Sequence, residues 1–288
     1  MWTDATCPAL PEFDTRRFCK QALRCESLLL VGDSTQNLVY EALEAVLAPK
    51  PTKRFFGRRP SRRETCTDKR GDVRKLTEIC TKDCHARPVY LTYMRHDHLM
   101  GFGAEQCNWA SGHVMKQFAF LLLTTGVHIN DDPALAWNVG DIWATKTNRL
   151  IEYLNTNHPC GIIWRTAWYG ADPFDGKCPL KEVVRQAPLK RSEIAANRFN
   201  GSWVQISRFN EFVKAKLRDA WPNLPILDVE NMFSMRPDCR RDWIHFASDK
   251  AASPIFALPS LVQHLLERTP FRHIDGGQCA MDAPEGVS

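Results

Sequence analysis

Strand-length runs of unbroken apolar residues alternate with helical patterns along this chain. That alternation constrains the fold more than any other feature. Ser27-Leu28-Leu29-Leu30-Val31 ends abruptly at Gly32-Asp33-Ser34, and Leu38, Val39, Ala42, Leu43, Val46 and Leu47 then recur at helical spacing over 35–48. Further strands are expected at 87–94, 118–123, 161–166 and 225–229, with helices near 109–116, 136–155, 202–220 and 254–267. Strands apolar on both faces belong to a parallel sheet covered on both sides. The expectation is therefore an α/β fold, a three-layer α/β/α sandwich around a mostly parallel five-stranded sheet. Residues 1–26 read as a lead-in packing on the core through Phe13, Phe18 and Leu23, and 27–288 as a single domain.

Composition narrows the function classes. Hydrophobic residues at 44% and charged residues at 25% are the balance of a soluble globular protein. No apolar run approaches the ~20 residues of a membrane span, so no transmembrane segment is expected. The net charge of +5 is mild. Lys50, Lys53, Arg54, Arg58, Arg59, Arg62 and Arg63 crowd one loop, but two adjacent aromatics, Phe55 and Phe56, are too few to argue for nucleic acid. A solvated surface loop is the expectation, with no nucleic-acid partner.

Eleven cysteines, mostly in predicted loops, favour an oxidising compartment with several disulfides, and the odd total leaves at least one thiol free or paired outside this chain. Their pairing is not readable from spacing. Cys80-Thr81-Lys82-Asp83-Cys84-His85 invites a zinc reading, but no second ligand pair follows at finger spacing, so no metal is expected. The sequon Asn200-Gly201-Ser202 fits a secretory chain. Met1-Trp2-Thr3-Asp4 lacks the pattern of a signal peptide, so the chain is expected either to be cytosolic or to lack its targeting segment.

In parallel sheets the active crevice lies beyond the carboxyl ends of the strands. Five polar segments fall there: Gly32-Asp33-Ser34, Arg95-His96-Asp97-His98, Thr124-Thr125-Gly126-Val127-His128, Arg165-Thr166 and Asp242-Trp243-Ile244-His245. A serine at a strand-to-helix corner meets free backbone N–H groups and the positive helix end, which suits a nucleophile if a histidine reaches its hydroxyl. Asp and Ser are also ordinary N-cap residues. Asp242 and His245, three apart, can set a carboxylate beside the imidazole that takes the serine proton. An ion pair or capped turn is the plain alternative. Asp33 is expected to brace its turn through backbone hydrogen bonds. Arg165 either holds a substrate or is buried in a structural ion pair. His96, Asp97 and His98 suggest a surface loop rather than a metal cluster, because successive residues point to opposite faces. His128 either faces substrate or merely borders the crevice. Of nine tryptophans most are core, with Trp168 and the neighbouring Tyr169 the candidates for stacking on sugar.

Gly32-Asp33-Ser34 with Asp242-x-x-His245 resembles the SGNH/GDSL-type hydrolase superfamily. More closely, the chain is similar to its PC-esterase branch, which includes the trichome-birefringence-like polysaccharide O-acetyltransferases. Leu10–Phe18, Tyr90–Leu99, Thr124–His128 and Trp164-Arg165-Thr166 fall in the order of that branch's blocks. Thr124 stands where the family has Asn, and the histidine usual after the Arg-Thr block is absent. The resemblance implies a Ser34–His245–Asp242 triad, with Gly32, Asp33, Thr124, Thr125, Gly126 and Arg165 at the oxyanion and substrate. It implies O-acetyl transfer to carbohydrate through an acetyl-serine, with no bound cofactor and an acetyl donor such as acetyl-CoA as co-substrate. A secretory location, Golgi lumen or extracellular, would follow. An acetylesterase using the same triad is the first alternative, and a silent glycan-binding member the second.

Overall fold

The computed structural model describes residues 12–48, 74–85, 88–97, 99, 118–131, 133–157, 161–168, 203–234, 245–246 and 254–269. Strands β1 (Leu28–Gly32), β2 (Arg74–Ile79), β3 (Val89–Arg95), β4 (Phe120–Leu123), β5 (Gly161–Arg165) and β6 (Ile226–Leu227) form one sheet in the order β2-β3-β1-β4-β5-β6. All neighbours pair parallel except β2, which runs antiparallel to β3. The expected five strands are thus six. The extra one, Arg74-Lys75-Leu76-Thr77-Glu78-Ile79, lacks the continuous apolar run of a central strand. It buries Thr77 and Ile79 and exposes Glu78, the charged alternation of a strand guarding a sheet edge.

Successive strand residues point to opposite faces, and both faces are filled. Leu28, Leu30, Phe120, Leu122 and Ile163 pack on one side with helix α1 (Ser34–Leu47), helix α4 (Leu258–Arg268) and the segment Phe18–Leu23. Leu29, Val31, Leu121, Leu123, Ile162 and Trp164 pack on the other with α2 (Ile142–Asn157) and α3 (Trp203–Ala220). This is the expected three-layer sandwich. Each such apolar side chain contributes roughly 1.5–3 kcal/mol on full burial.

The helix expected over 136–155 is interrupted. A short helix, Pro133–Ala136, gives way to a turn in which Asn138, Gly140 and Asp141 take φ of 52°, 62° and 55°, and α2 starts only at Ile142. Asn, Gly and Asp tolerate this left-handed region at least cost. The Asn138 side-chain carbonyl then accepts the Trp143 N–H at 2.9 Å, which caps α2.

The lead-in is clamped to the sheet. Phe18, Cys19, Ala22 and Leu23 are fully buried, and the bridges Cys19–Cys80 and Cys25–Cys84 tie this segment to the turn between β2 and β3. Cys80 and Cys84 therefore sit in different disulfides, which removes the zinc reading of that motif. Two disulfides fit an oxidising compartment. Among the described residues no helix is long and apolar enough to cross a membrane. The helix expected at 109–116, the basic loop at 50–63, the sequon and the other seven cysteines lie outside the described residues.

The two bridges lie close in sequence at both ends, which makes their contributions unequal in origin. The first formed closes a loop of 61 or 59 residues, whereas the second only closes the small ring between them. Loop-entropy arithmetic gives about 4 kcal/mol for the large loop and about 3 for the small one. Losing either bridge alone should cost about 3 kcal/mol, and losing both about 7. Urea unfolding of the Cys19→Ala/Cys80→Ala pair, the Cys25→Ala/Cys84→Ala pair and the fourfold variant checks this excess over additivity.

Candidate active site

The chain reverses direction of travel at β1. It passes to β3 on one side, then returns to β4 on the other and continues outward through β5 and β6. Such a reversal opens a crevice beyond the carboxyl end of the first strand, where β1 delivers Gly32-Asp33-Ser34. Glycine is required at 32 for close approach: a Cβ there would lie 2.4 Å from Thr124 Cγ2 and 3.0 Å from the Thr124 carbonyl oxygen. Gly126, just past β4, has φ of 129° and packs against Ala167 and Phe209.

Asp33 does what the sequence suggests. Fully buried, it caps α1: its Oδ1 accepts from the Thr35 N–H at 2.7 Å and the Thr35 hydroxyl at 2.5 Å. Its carbonyl accepts from the N–H groups of Gln36 (3.1 Å) and Asn37 (3.4 Å) and from the Tyr93 hydroxyl (2.9 Å). Of the four N–H groups that open the helix, only that of Ser34 has no acceptor among the described residues. It is left for an incoming oxygen.

Half-buried Ser34 stands 2.7 Å, Oγ to Nε2, from His245, 211 residues away along the chain. His245 itself lies outside regular structure. The next residue, Phe246, is 1% exposed and enters an aromatic corner with Trp168 and Phe233. Asp242 lies outside the described residues.

Arg165 is not presented to the crevice, contrary to the substrate-binding role implied for it. It is fully buried beneath the turn because α1 supplies its acceptors there. Nη2 donates to Thr35 Oγ1 and Nε to Gln36 Oε1, both at 2.7 Å, while Nη1 donates to the Thr166 carbonyl at 3.2 Å. Burial pulls its pKa down to about 10, against the opposing pull of Asp33 and Tyr93, so it remains a cation at neutral pH. Gln36 extends the chain of bonds by donating to the Leu122 carbonyl at 2.8 Å. The first turn of α1 is thereby tied to β4 and β5.

Two further expectations are overturned. His96 and Asp97 are not a surface loop: they are 8% and 5% exposed. The backbone continues past β3 across the end of β1, with the His96 N–H donating to the Gly32 carbonyl at 2.8 Å. Asp97 is then forked by Arg95 at 2.9 and 3.0 Å and lies 3.8 Å from His128 Nε2, while its carbonyl accepts from the Thr125 hydroxyl at 3.3 Å. His128 thus lies buried in this cluster. Trp168 is fully buried and stacked on Phe233 with centroids 4.0 Å apart, so it offers no face to a sugar. Tyr169 and His98 lie outside the described residues. Thr124 is fully buried, and its hydroxyl has no partner among the described residues. Among those residues no group of three or more His, Cys, Asp or Glu side chains is arranged to hold a metal.

Gln36, Tyr93 and Asn210 hold the site without standing out in sequence. Asn210 is 1% exposed on the apolar stripe of α3, accepts from the Ala167 N–H and donates to the Ala167 carbonyl and to Glu230. A polar residue interrupting the Ile206–Phe209–Val213 stripe is the one sign that could have marked it.

No protein-family profile and no curated protein matches the chain. Among solved structures it is similar to the C-terminal catalytic domain of Streptococcus pneumoniae peptidoglycan O-acetyltransferase A with a methylsulfonyl adduct. The TM-score is 0.44 at 11% identity, covering 86% of this chain and 97% of that one.

Gly32→Ala should cost about 1–3 kcal/mol, because a backbone carbonyl lies in the way of the added methyl, and thermal unfolding measures it. Asp228, beside β6, gives an acid dependence. Burial alone would raise its pKa, but the Lys214 ammonium at 2.8 Å and the Thr166 hydroxyl at 3.1 Å outweigh this and hold it below the ordinary carboxylate value. A folded pKa below the unfolded one stabilises above the unfolded value and is lost as pH falls through the folded one. Urea midpoints from neutral pH downward should therefore fall less steeply on acidification for Asp228→Asn than for the wild type.

Proposed function

We propose that this chain is an acyl-transfer enzyme in which Ser34 is the nucleophile and His245 its general base. The observation that carries this reading is the 2.7 Å contact between Ser34 Oγ and His245 Nε2 at a helix start with one N–H unclaimed among the described residues. With its ring proton on Nδ1, the imidazole accepts the serine proton through Nε2 as Oγ bonds to the acyl carbon. The carbonyl electrons pass to oxygen, and the Ser34 N–H donates to that oxyanion. Collapse expels the donor's leaving group, which takes the proton from Nε2, and an acyl-serine remains.

In the second half an acceptor hydroxyl loses its proton to Nε2 as it attacks the acyl carbon, and Ser34 Oγ departs, taking that proton back from Nε2. Asp242, three residues before His245, is assigned to orient the ring and support its charged form. We assign acetyl as the group transferred, an acetyl ester or thioester such as acetyl-CoA as donor, and a carbohydrate hydroxyl as acceptor, in an oxidising secretory compartment such as the Golgi lumen. These assignments rest on the resemblance of the Gly32-Asp33-Ser34 and Asp242-x-x-His245 motifs. Water in the acceptor's place gives hydrolysis by the same groups, and half-buried Ser34 admits it.

Ser34→Ala and His245→Ala should each lower turnover of an activated acetyl ester by about 10³–10⁶-fold while the protein stays folded. A sulfonyl fluoride should add its mass to Ser34 in the wild type alone. Wild-type rates in Ser34→Ala would end this reading. Acetate released against acetyl moved to an added oligosaccharide separates hydrolysis from transfer.

A further inference from the structure

We propose that Trp168 is a positioning residue that sets the distance between Ser34 and His245, an inference resting on the reading of those two as nucleophile and base. The two side chains come from remote segments, so their 2.7 Å separation has to be imposed by a third body. Among the described residues, the Trp168 ring touches both supports. The Arg165 guanidinium lies 4.5 Å from its centroid, and that same guanidinium holds Thr35 and Gln36 in the helix turn that carries Ser34. Phe246, the neighbour of His245, meets the Trp168 ring edge-on at 6.0 Å and 86°.

The ring is itself immobilised. Phe233 stacks on it at 4.0 Å and 7°, and Phe233 and Phe246 close the corner at 4.7 Å and 87°. Upstream, the segment that leaves β5 is pinned residue by residue. The Thr166 hydroxyl bonds Asp228 and accepts the Val229 N–H at 3.0 Å, and Asn210 holds both backbone groups of Ala167. A strand end locked this completely serves as a fixed post, against which the serine turn and the histidine segment both rest.

The position is therefore more than core filling. Shrinking this ring removes the common surface, so Ser34 and His245 can drift by fractions of an ångström, while Asp33, Tyr93 and Gln36 still hold the turn's backbone. Errors of about 1 Å in such pairs cost up to about 100-fold in rate.

The test compares Trp168→Phe and Trp168→Leu with the wild type on an activated acetyl ester, with kcat counted per serine titratable by a sulfonyl fluoride. The expected result is a graded fall in kcat, about 5-fold for Phe and about 100-fold for Leu, with KM within about twofold and Ser34 labelling slowed in parallel. A role in stability alone would lower the melting temperature and the fraction of titratable sites but leave kcat per site unchanged. That outcome overturns the proposal. If the leucine variant does not fold, Trp168→Phe decides by the same criterion. Failure here is distinct from failure of the enzymatic reading: in the first case the wild type still labels at Ser34 and turns over, and in the second Ser34→Ala retains full activity.

Discussion

A guanidinium with no access to solvent holds the turn that carries Ser34 together. Arg165 leaves the end of β5, passes under the first turn of α1 and donates to Thr35 and Gln36; Thr35 in turn donates to Asp33 and Gln36 to the β4 backbone. Burying a cation is costly unless its donors find acceptors and a counter-charge lies near. Here both conditions are met, with Asp33 as the nearby charge. Removing any partner would leave a polar group stranded in the core, so the turn is specified by the penalty for disrupting it.

The sheet order explains which segments meet at this corner. With β1 central and the chain departing to β3 before returning to β4, the segments that follow β1, β3 and β4 converge at one edge. There the His96 N–H meets Gly32, and Thr125 and His128 approach Asp97. Close packing at Gly32 leaves no room for a side chain, and it brings the β4 terminus against the Ser34 turn. The disulfides at the far end of β2 and the start of β3 anchor the lead-in to this half of the sheet.

Local signals were legible where one physical effect dominated. Leu28–Val31 and Phe120–Leu123 read as buried parallel strands because both of their faces are apolar, and the capping role of Asp33 followed from its place before a helical pattern. Arg74–Ile79 escaped notice because an edge strand needs only one buried face and carries charges. Trp168 read as a sugar platform because its burial depends on Phe233 and Phe246, which arrive from segments 65 and 78 positions later. Arg165 read equally well as ligand or strut, since a guanidinium serves both and only its acceptors distinguish them. Asp97 read as exposed because His128, which closes over the local Arg95–Asp97 pair, arrives only when β3 and β4 lie either side of β1.

The amino-acid order alone determined the layering of the fold, the parallel core strands and the turn that presents Ser34. Those depend on interactions within a few residues and on apolar periodicity. Tertiary structure decided how near His245 comes to that serine, which groups Arg165 meets beneath it and which tryptophan is withheld from solvent. Such pairings are set by the sheet order and by what each buried polar group must find as a partner, and neither is written in local sequence.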